Sequence, residues 1–262
     1  MNNREGKYSK FALVREMLET SEVVRKFDVS STRRFADRLS NSKALFLSGE
    51  GSSRIFPAKR AIYSALKNGG PINIVTEGST QAMEYKLDDY AVFGASNSGQ
   101  TKEVVRLFMK IKEEGHQANF GLTANANTRL EKLAIDTHVM NCGKEDAVAA
   151  TKSVIEQGLF YDSIVHQLAG KELEGLDDLA DAIEAALTLE IDPEIVEVLR
   201  NADLIYFAGR NTGVVEELTL KTNEITRKKS DFLEGTYAVH GIEEVMDKNE
   251  VVIVVDPFES EE

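Results

Sequence analysis

Short apolar segments alternate with stretches of helical periodicity along most of this chain, and this alternation restricts the fold more than any other feature. The apolar segments 44–47 and 90–95 end in glycine and hydroxyl residues, and a helical stretch follows each of them. Strands are predicted at residues 44–47, 72–75, 90–95, 119–123 and 137–140. Strands that alternate with helices form a parallel sheet with helices on both faces. The pattern therefore predicts an α/β fold with doubly wound parallel sheets.

An internal repeat divides the chain. Residues 44–49 resemble residues 204–209, and residues 91–94 resemble residues 251–254, with the same offset for both pairs. A duplicated domain explains the common offset, and the alternative is a chance similarity of two ordinary strand–helix units. The predicted organisation is listed by range: an N-terminal helical segment 1–40, a first domain 41–170, a helical linker 171–200 and a second, partial domain 201–262. An incomplete sheet leaves an open edge, so we expect that the second domain is shortened at its C-terminus.

Composition excludes several classes of protein. The chain has 44 acidic and 31 basic residues, and this net charge of −13 argues against a nucleic-acid-binding surface. The single cysteine, Cys142, cannot form an intrachain disulfide or a cysteine-rich metal site. No apolar run approaches the roughly 20 residues that span a bilayer, and residues 1–10 lack an apolar signal core. We expect a cytoplasmic protein with neither nucleic-acid nor membrane partners.

The first chemical motif, residues 96–101, lies between a predicted strand and a predicted helix. Hydroxyl groups beside the free N–H groups of a helix N-terminus form an anion site, and the helix dipole strengthens it. The alternative is an ordinary N-cap, the usual role of a serine or threonine before a helix. Three hydroxyls and a glycine at the carboxyl end of a strand favour phosphate binding. The predicted phosphate ligands here are Ser96, Asn97, Ser98 and Thr101.

A second glycine-rich turn follows the preceding strand and contains Gly49, Gly51, Ser52 and Ser53. Its glycines allow the backbone to approach a ligand closely, and Ser52 and Ser53 add hydroxyls to the predicted phosphate site. The turn lacks the GxGxxG pattern and the lysine of a P-loop, so nucleotide binding is not predicted.

The two turns, together with residues 145–152, resemble the sugar isomerase (SIS) domain family. The S-x-S-G-x-T phosphate loop of that family matches residues 96–101, and its G-T-S turn matches residues 51–53. Its E-x-x-V-A-S-T-K segment matches residues 145–152, with Ala150 in place of serine. Members include the isomerase half of glucosamine-6-phosphate synthase, archaeal-type glucosamine-6-phosphate deaminases, and deglycases for phosphorylated fructose–amino acid adducts. The resemblance implies further substrate contacts from Gly51, Glu145, Val148, Ala149 and Lys152.

A third group of residues lies in the second repeat. Lys221 and Glu224 are three residues apart and share a helical face, which by itself is more typical of a surface ion pair. A lone histidine such as His240 is also more often structural. In the family, a K-x-x-E helix is followed at a fixed interval by a histidine, and His240 follows Glu224 at that same interval. The resemblance therefore implies that Lys221, Glu224 and His240 are catalytic.

Aldose–ketose chemistry explains these residue types. Ring opening needs a group that exchanges a proton with the ring oxygen near neutral pH, as His240 would. Proton transfer between C1 and C2 needs a carboxylate such as Glu224, and Lys221 would stabilise the enediolate oxygen. His116, His138 and His166 lack ligand spacing, so we expect no metal and no cofactor.

The chain departs from the family at Tyr237, Asn223 and Ile242, where glutamate, lysine and proline are common. In the family these positions shape the sugar and amine pocket, so the three departures leave the identity of the substrate undetermined. The leading expectation is an isomerase or deaminase that acts on a 6-phosphorylated hexosamine or fructosamine. The alternatives are a plain aldose–ketose phosphate isomerase and a phosphosugar-sensing module without catalysis, although no basic helix-turn-helix precedes the domain. The resemblance also implies a homodimer or higher homo-oligomer, with the histidine reaching in from the neighbouring subunit.

Overall fold

The computed structural model describes residues 6–258, which form two units, one ending at Thr188 and the other beginning at Leu189. The helices of the first unit are α1 (Gly6–Ser9), α2 (Ala12–Leu18), α3 (Thr20–Arg25), α4 (Arg33–Leu39), α5 (Ile55–Lys67), α6 (Ser79–Ala82), α7 (Lys102–Glu113), α8 (Arg129–Leu133), α9 (Lys152–Leu168) and α10 (Leu176–Thr188). Its strands are β1 (Ala44–Gly49), β2 (Asn73–Gly78), β3 (Tyr90–Ala95), β4 (Asn119–Thr123) and β5 (Asp136–Val139). The second unit contains α11 (Pro193–Asn201), β6 (Ile205–Gly209), α12 (Val214–Lys221), β7 (Ser230–Glu234) and β8 (Val251–Val255).

The first unit is built on one parallel sheet of five strands in the order β2-β1-β3-β4-β5. This confirms the predicted α/β fold with parallel strands. Strand β2 runs three residues beyond its predicted end. Side-chain hydrogen bonds to the neighbouring backbone accompany this extension, since Thr76 donates to the Leu47 carbonyl and Ser48 donates to the Glu77 carbonyl.

Both faces of this sheet are covered. Successive strand residues point to opposite faces, so Phe93 packs in the cluster of Phe35, Phe120 and Phe160, with ring centroids 5.1–5.9 Å apart. The opposite face buries Phe46 and Val92 against side chains of α7, among them Leu107 and Phe108. Gly94 is required there, because a Cβ would lie 2.2 Å from the Phe108 ring.

The N-terminal helical segment predicted at residues 1–40 contains helices between residues 6 and 39, but they do not form one continuous helix. Helices α2, α3 and α4 are separate, and a 3-10 turn at Val29–Thr32 precedes α4. Asp28 starts that turn, because its carboxylate accepts hydrogen bonds from both the backbone N–H and the hydroxyl of Ser30. The local side-chain bonds satisfy backbone donors outside an α-helix, and the chain turns there instead of continuing.

The segment 171–200, predicted as a linker, contains α10, α11 and the boundary between the two units. Helix α10 packs on α3, where Arg25 forms ion pairs with Asp177 and Asp181. The unit boundary therefore falls after α10, inside the predicted linker. None of the helices between residues 6 and 258 has the length and apolar character needed to cross a membrane.

The second unit contains a parallel sheet in the order β7-β6-β8, the order in which β2, β1 and β3 lie in the first unit. The pairing register also agrees. Leu45 lies opposite Ala91, and Ile205 lies opposite Val251, so both members of the pair are displaced by the offset of the sequence repeat. The similarity of residues 44–49 to residues 204–209 therefore corresponds to equivalent central strands in two sheets.

One buried histidine belongs to the core of the first unit. His138, on β5, is 4% exposed, stacks on the Phe160 ring at 4.6 Å, and its Nε2 has no hydrogen-bond partner within residues 6–258. Burial, helped by the nearby Arg34 guanidinium, lowers the pKa of His138 from 6.5 to about 4. Between about pH 4 and pH 6.5 the ring is therefore neutral in the folded protein and protonated in the unfolded chain.

This shift predicts an acid sensitivity. Below pH 6.5 the unfolded chain binds a proton at His138, whereas the folded chain binds it only near pH 4. The free energy of unfolding therefore decreases as the pH falls from 6.5 to about 4. At 1.36 kcal/mol per pKa unit, the contribution of His138 is about 3 kcal/mol. In His138→Phe, the loss in the free energy of unfolding between pH 7 and pH 4, measured by urea denaturation, should be smaller than in wild type by that amount. A loss equal to that of wild type would contradict the assignment.

Candidate functional site

The two glycine- and serine-rich turns lie at the carboxyl ends of β1 and β3, which are adjacent strands. Gly49 allows the backbone segments to converge, because a Cβ there would lie 2.8 Å from the Ser53 carbonyl oxygen and 3.1 Å from that of Ala95. The fold therefore brings the two predicted phosphate loops together. In open α/β sheets this edge is where ligands bind.

The loop after β3 is folded by its own hydroxyl groups. Ser96 is buried, its Oγ lies 2.7 Å from Thr101 Oγ1, and it accepts a hydrogen bond from the Thr101 N–H at 3.3 Å. Ser98 Oγ accepts from the Gln100 N–H at 3.2 Å. Gly99 has a φ of +61°, and a Cβ there would lie 2.4 Å from the Thr128 side chain. Only glycine fits this turn without displacing Thr128.

The capping alternative is not realised at Thr101. This residue occupies the N-cap position of α7, but its side chain makes no capping hydrogen bond to that helix. Its hydroxyl is engaged with Ser96 instead. The first N–H groups of α7 therefore lack a side-chain cap. They form the positive end of the dipole of a 12-residue helix, an arrangement that can bind an anion.

Asn97 ties this loop to its surroundings. Its Nδ2 donates to Glu145 Oε2 at 2.7 Å and to Ser153 Oγ at 2.9 Å. Its backbone carbonyl accepts from the Ala124 N–H and from the Asn125 side chain, both at 3.0 Å. The Asn97 side chain is thus committed to protein contacts and fixes the position of the loop.

Glu145 is the hub of these contacts. Its Oε1 accepts from the Thr151 N–H at 2.9 Å, the Thr151 hydroxyl at 2.8 Å and the Ser153 N–H at 3.2 Å, while Oε2 accepts from Asn97 and from the Ser153 hydroxyl. Burial, the largest influence, would raise the pKa of Glu145. The hydrogen bonds from Ser153 and Thr151 outweigh it, and the pKa lies below its usual value.

The segment that follows Glu145 is also held from the N-terminal helices. Buried Glu16 accepts from the Asp146 N–H at 2.5 Å and from the Ala147 N–H at 3.2–3.3 Å. Helix α9 begins at Lys152, although the sequence indicates a start near Val148, because the Glu145 carboxylate accepts from the N–H groups of Thr151 and Ser153, which an earlier helix would use. Val148 is fully exposed at the tip of this segment, and Ala149 is buried.

Lys152 does not extend into solvent at this edge. It is 5% exposed, and its ammonium group lies 2.5 Å from Glu19 Oε2. Burial, the largest influence, would lower the pKa of Lys152, but the hydrogen bond to Glu19 outweighs it and the pKa is raised. The structure therefore pairs this predicted substrate contact with a carboxylate of the N-terminal helices.

Ser52 and Ser53 lie half-buried in the 3-10 turn that begins at Gly51, whose φ is +52°. Gln157 of α9 donates to the Ser53 carbonyl at 2.5 Å. Because Ser153 of the same helix binds the other loop, the first two turns of α9 support both loops.

Sequence reasoning missed Arg54, the residue directly after this turn. Its side chain is half-buried, and within residues 6–258 it has no hydrogen bond or ion pair of its own. A guanidinium in this position is available to an anionic ligand. A cation immediately after a Gly-Ser-Ser turn was the signal available in the sequence.

The second unit brings Lys221 and Glu224 together, as their spacing predicts. Lys221 ends α12, and Glu224 lies in a π-helical turn, Thr222–Thr226, of the type often found at functional sites. Lys221 Nζ lies 3.2 Å from Glu224 and 3.3 Å from Glu217. Glu217, 9% exposed, was missed by sequence reasoning, although its position four residues before Lys221 places it on the same face.

His240 is exposed and follows a 3-10 turn, Tyr237–Val239, where its N–H donates to the Tyr237 carbonyl at 3.1 Å. Asn223, one of the departures from the family pattern, accepts from the N–H and the hydroxyl of Ser230 and so ties the π turn to β7. Between residues 6 and 258, no cluster of three or more His, Cys, Asp or Glu side chains is arranged to hold a metal ion.

Comparison with known families gives a match to the SIS domain over residues 38–167. This stretch includes all five strands of the first sheet and most of α9. It therefore contains both serine-rich loops and the segment from Glu145 to Lys152. No curated protein sequence matches the chain.

Solved structures share the fold. Tagatose-6-phosphate ketose/aldose isomerase from Escherichia coli is 18% identical, with a TM-score of 0.78 over 94% of this chain and 73% of that chain. The C-terminal domain of glucosamine-fructose-6-phosphate aminotransferase from Francisella tularensis is 18% identical, with a TM-score of 0.76 over 95% and 76%. Glucosamine-6-phosphate deaminase from Thermotoga maritima is 20% identical, with a TM-score of 0.72 over 93% and 76%. With more than nine-tenths of this chain covered, the likeness of fold extends beyond residue 188.

The hydrogen bonds of Glu145 predict that Glu145→Gln will destabilise the first unit. In glutamine an NH₂ group replaces one carboxylate oxygen, so the donors that contacted that oxygen meet another donor. The donors to the remaining oxygen lose a charged acceptor. We expect a loss of about 3 kcal/mol in the free energy of unfolding, measured by urea denaturation. The matched control is Asp146→Asn, because Asp146 is exposed and its surface ion pair with Lys144 contributes little to stability. Equal stability of the two variants would exclude the hub role.

Proposed function

We propose, from the premise that residues 38–167 form a domain of the SIS family, that this chain is a phosphosugar isomerase or deaminase. Its substrate would be a 6-phosphorylated hexosamine or fructosamine, and the reaction would open the ring and transfer a proton between C1 and C2. The observation that carries the proposal is the uncapped N-terminus of α7, surrounded by hydroxyl groups at the carboxyl ends of two adjacent strands.

The phosphate would be held mainly by neutral groups. Ser96, Ser98 and Thr101 surround the α7 terminus, and Ser52 and Ser53 belong to the adjacent turn. Such a site binds a phosphoryl group through N–H groups, hydroxyls and the helix dipole without a lysine. Asn97 would act by positioning the loop, since its side-chain amide is bonded to Glu145 and Ser153. Its substrate contact would come through the backbone.

We further propose that the three-stranded sheet belongs to a second SIS-type domain. The equal strand order and the equal register, at the offset of the sequence repeat, support a duplication. In this second copy Glu224 would move the proton between C1 and C2, and His240 would exchange a proton with the ring oxygen. Lys221 would stabilise the enediolate oxygen, and its ion pairs with Glu217 and Glu224 support a charged ammonium group at this position.

Deaminase, deglycase and plain isomerase activities differ in the group that is released from the sugar: ammonia, an amine, or none. Incubation with glucosamine-6-phosphate, with a fructosamine-6-phosphate and with fructose-6-phosphate separates them, because they release ammonia, an amine or neither. The resemblance of the motifs further supports a cytoplasmic homo-oligomer. A sensing module without catalysis would bind these compounds and leave all three unchanged.

The proton-transfer role predicts the behaviour of Glu224→Gln. With the carboxylate replaced by an amide that cannot accept the proton, kcat should fall about 10²–10⁴-fold while the affinity for the phosphosugar changes little. The measurement is steady-state kinetics on the best substrate of the panel, together with calorimetric binding. The matched control is Glu197→Gln on α11, whose ion pair with Arg200 is on the surface. Retained turnover in Glu224→Gln would refute the role.

Arg54 supplies a separate prediction about the phosphate end. If its guanidinium pairs with the substrate anion, Arg54→Gln should raise KM for the phosphorylated sugar about 10–100-fold and change kcat much less. Arg106→Gln, an exposed arginine on α7, serves as the control for charge. An unchanged KM in Arg54→Gln would show that the phosphate site operates without this cation.

A further inference from the structure

The segment 146–150 lies between Glu145 and the start of α9, and Val148 at its tip is fully exposed. One end of the segment is beside the loop after β3, because the Glu145 carboxylate accepts from Asn97 Nδ2 at 2.7 Å. At the other end the Thr151 N–H donates to the same carboxylate at 2.9 Å. The segment is therefore a short loop that Glu145 closes at the edge of the sheet where the proposed phosphate site lies.

The path of the chain between these ends depends on Glu16 of α2, a buried residue from a remote part of the sequence. The Asp146 N–H donates to Glu16 Oε1 at 2.5 Å, and the Ala147 N–H donates to Oε1 and Oε2 at 3.3 and 3.2 Å. Hydrogen bonds to an ionised acceptor are stronger than those between neutral groups. Two successive backbone donors on one carboxylate therefore fix the direction of the chain just before Val148.

The next three backbone N–H groups, those of Val148, Ala149 and Ala150, have no hydrogen-bond partner within residues 6–258. The donors on either side of them are bound by carboxylates, those of Glu16 and Glu145. With the phosphate of a ligand at the α7 terminus, sugar oxygens are the acceptors that these open N–H groups would meet. The segment thus offers donors to the sugar part of a ligand, separately from the groups that would hold its phosphate.

Glu16 would act on a ligand only through this segment, because its carboxylate is bonded to backbone N–H groups. Glu19, three residues later, binds the ammonium group of Lys152 at 2.5 Å, so the two carboxylates hold backbone and side chain separately. We propose that Glu16 is a positioning residue for the sugar part of the substrate, a role that rests on the proposed phosphosugar function. It holds residues 146–147 so that the open N–H groups of residues 148–150 meet the sugar oxygens.

The test compares Glu16→Gln with wild type, since glutamine keeps the size of the side chain and loses the charged acceptor. Kd and KM for the phosphosugar of the panel that wild type binds most tightly should rise about tenfold, and kcat should change less than about threefold, because the proposed acid and base lie in the second unit. The calorimetric Kd of inorganic phosphate should stay within about twofold of wild type, because Glu16 bonds residues 146–147 and not the loop after β3. The matched control is Glu22→Gln, an exposed glutamate paired with Lys26, which should leave all these constants unchanged.

A measurement on wild type tests the same claim if Glu16→Gln does not fold. Hydrogen exchange of the backbone amides of residues 148–150 should slow when the phosphosugar is added and stay unchanged with inorganic phosphate. The role of Glu16 is overturned if folded Glu16→Gln keeps the wild-type KM, if phosphate and phosphosugar affinity fall by the same factor, as a merely structural role requires, or if the phosphosugar leaves the exchange unchanged. Wild type that binds neither ligand would refute the proposed function itself, which distinguishes the two failures.

Discussion

The arrangement at the carboxyl edge of the first sheet depends on one carboxylate, that of Glu145. It accepts hydrogen bonds from Asn97 in the loop after β3, from Thr151 before α9 and from Ser153 inside α9. A hydrogen bond to an ionised acceptor is about twice as strong as one between neutral groups, and several converge here on one half-buried carboxylate. The loop after β3 and the segment from Glu145 to Ser153, which are remote in sequence, are thus held in one geometry. The loop after β3 can then leave the first N–H groups of α7 without a side-chain cap.

This hub is supported from a second direction. Glu16 takes the N–H groups of Asp146 and Ala147, and Glu19 takes the ammonium of Lys152. The N-terminal helices therefore supply acceptors to the segment that carries the exposed Val148. Because Glu145 occupies the N–H groups of Thr151 and Ser153, α9 does not begin earlier, and its first turns contact both loops. The positions of the loops are a consequence of side-chain acceptors, and the sheet alone would not fix them.

The five strands of the first sheet could be predicted because each is a short, mainly apolar run, and glycine and hydroxyl residues close β1 and β3. The glycine requirement at Gly49 and Gly99 and the pairing of Lys221 with Glu224 also follow from local pattern. The start of α9 did not follow, because it depends on the way Glu145 folds back onto the N–H groups of Thr151 and Ser153. Lys152 was expected to contact substrate, but it is buried on Glu19, a contact that no local pattern encodes. Arg54 and Glu217 each had a local sequence signal, but ordinary surface charges share such positions, and the burial that sets these two apart depends on the folded structure.

A net charge of −13 and a phosphate ligand are compatible because the proposed site uses dipoles and hydroxyls in place of a basic patch. Long-range repulsion from an acidic surface is screened within about 8–10 Å at physiological salt, whereas N–H groups at the α7 terminus act at hydrogen-bond distance. A half-buried arginine at one side of such a site adds a short-range, directional interaction that salt screens less than it screens a surface lysine. Selectivity for the phosphoryl group would then come from geometry, and the acidic surface would mainly reduce the non-specific binding of other polyanions.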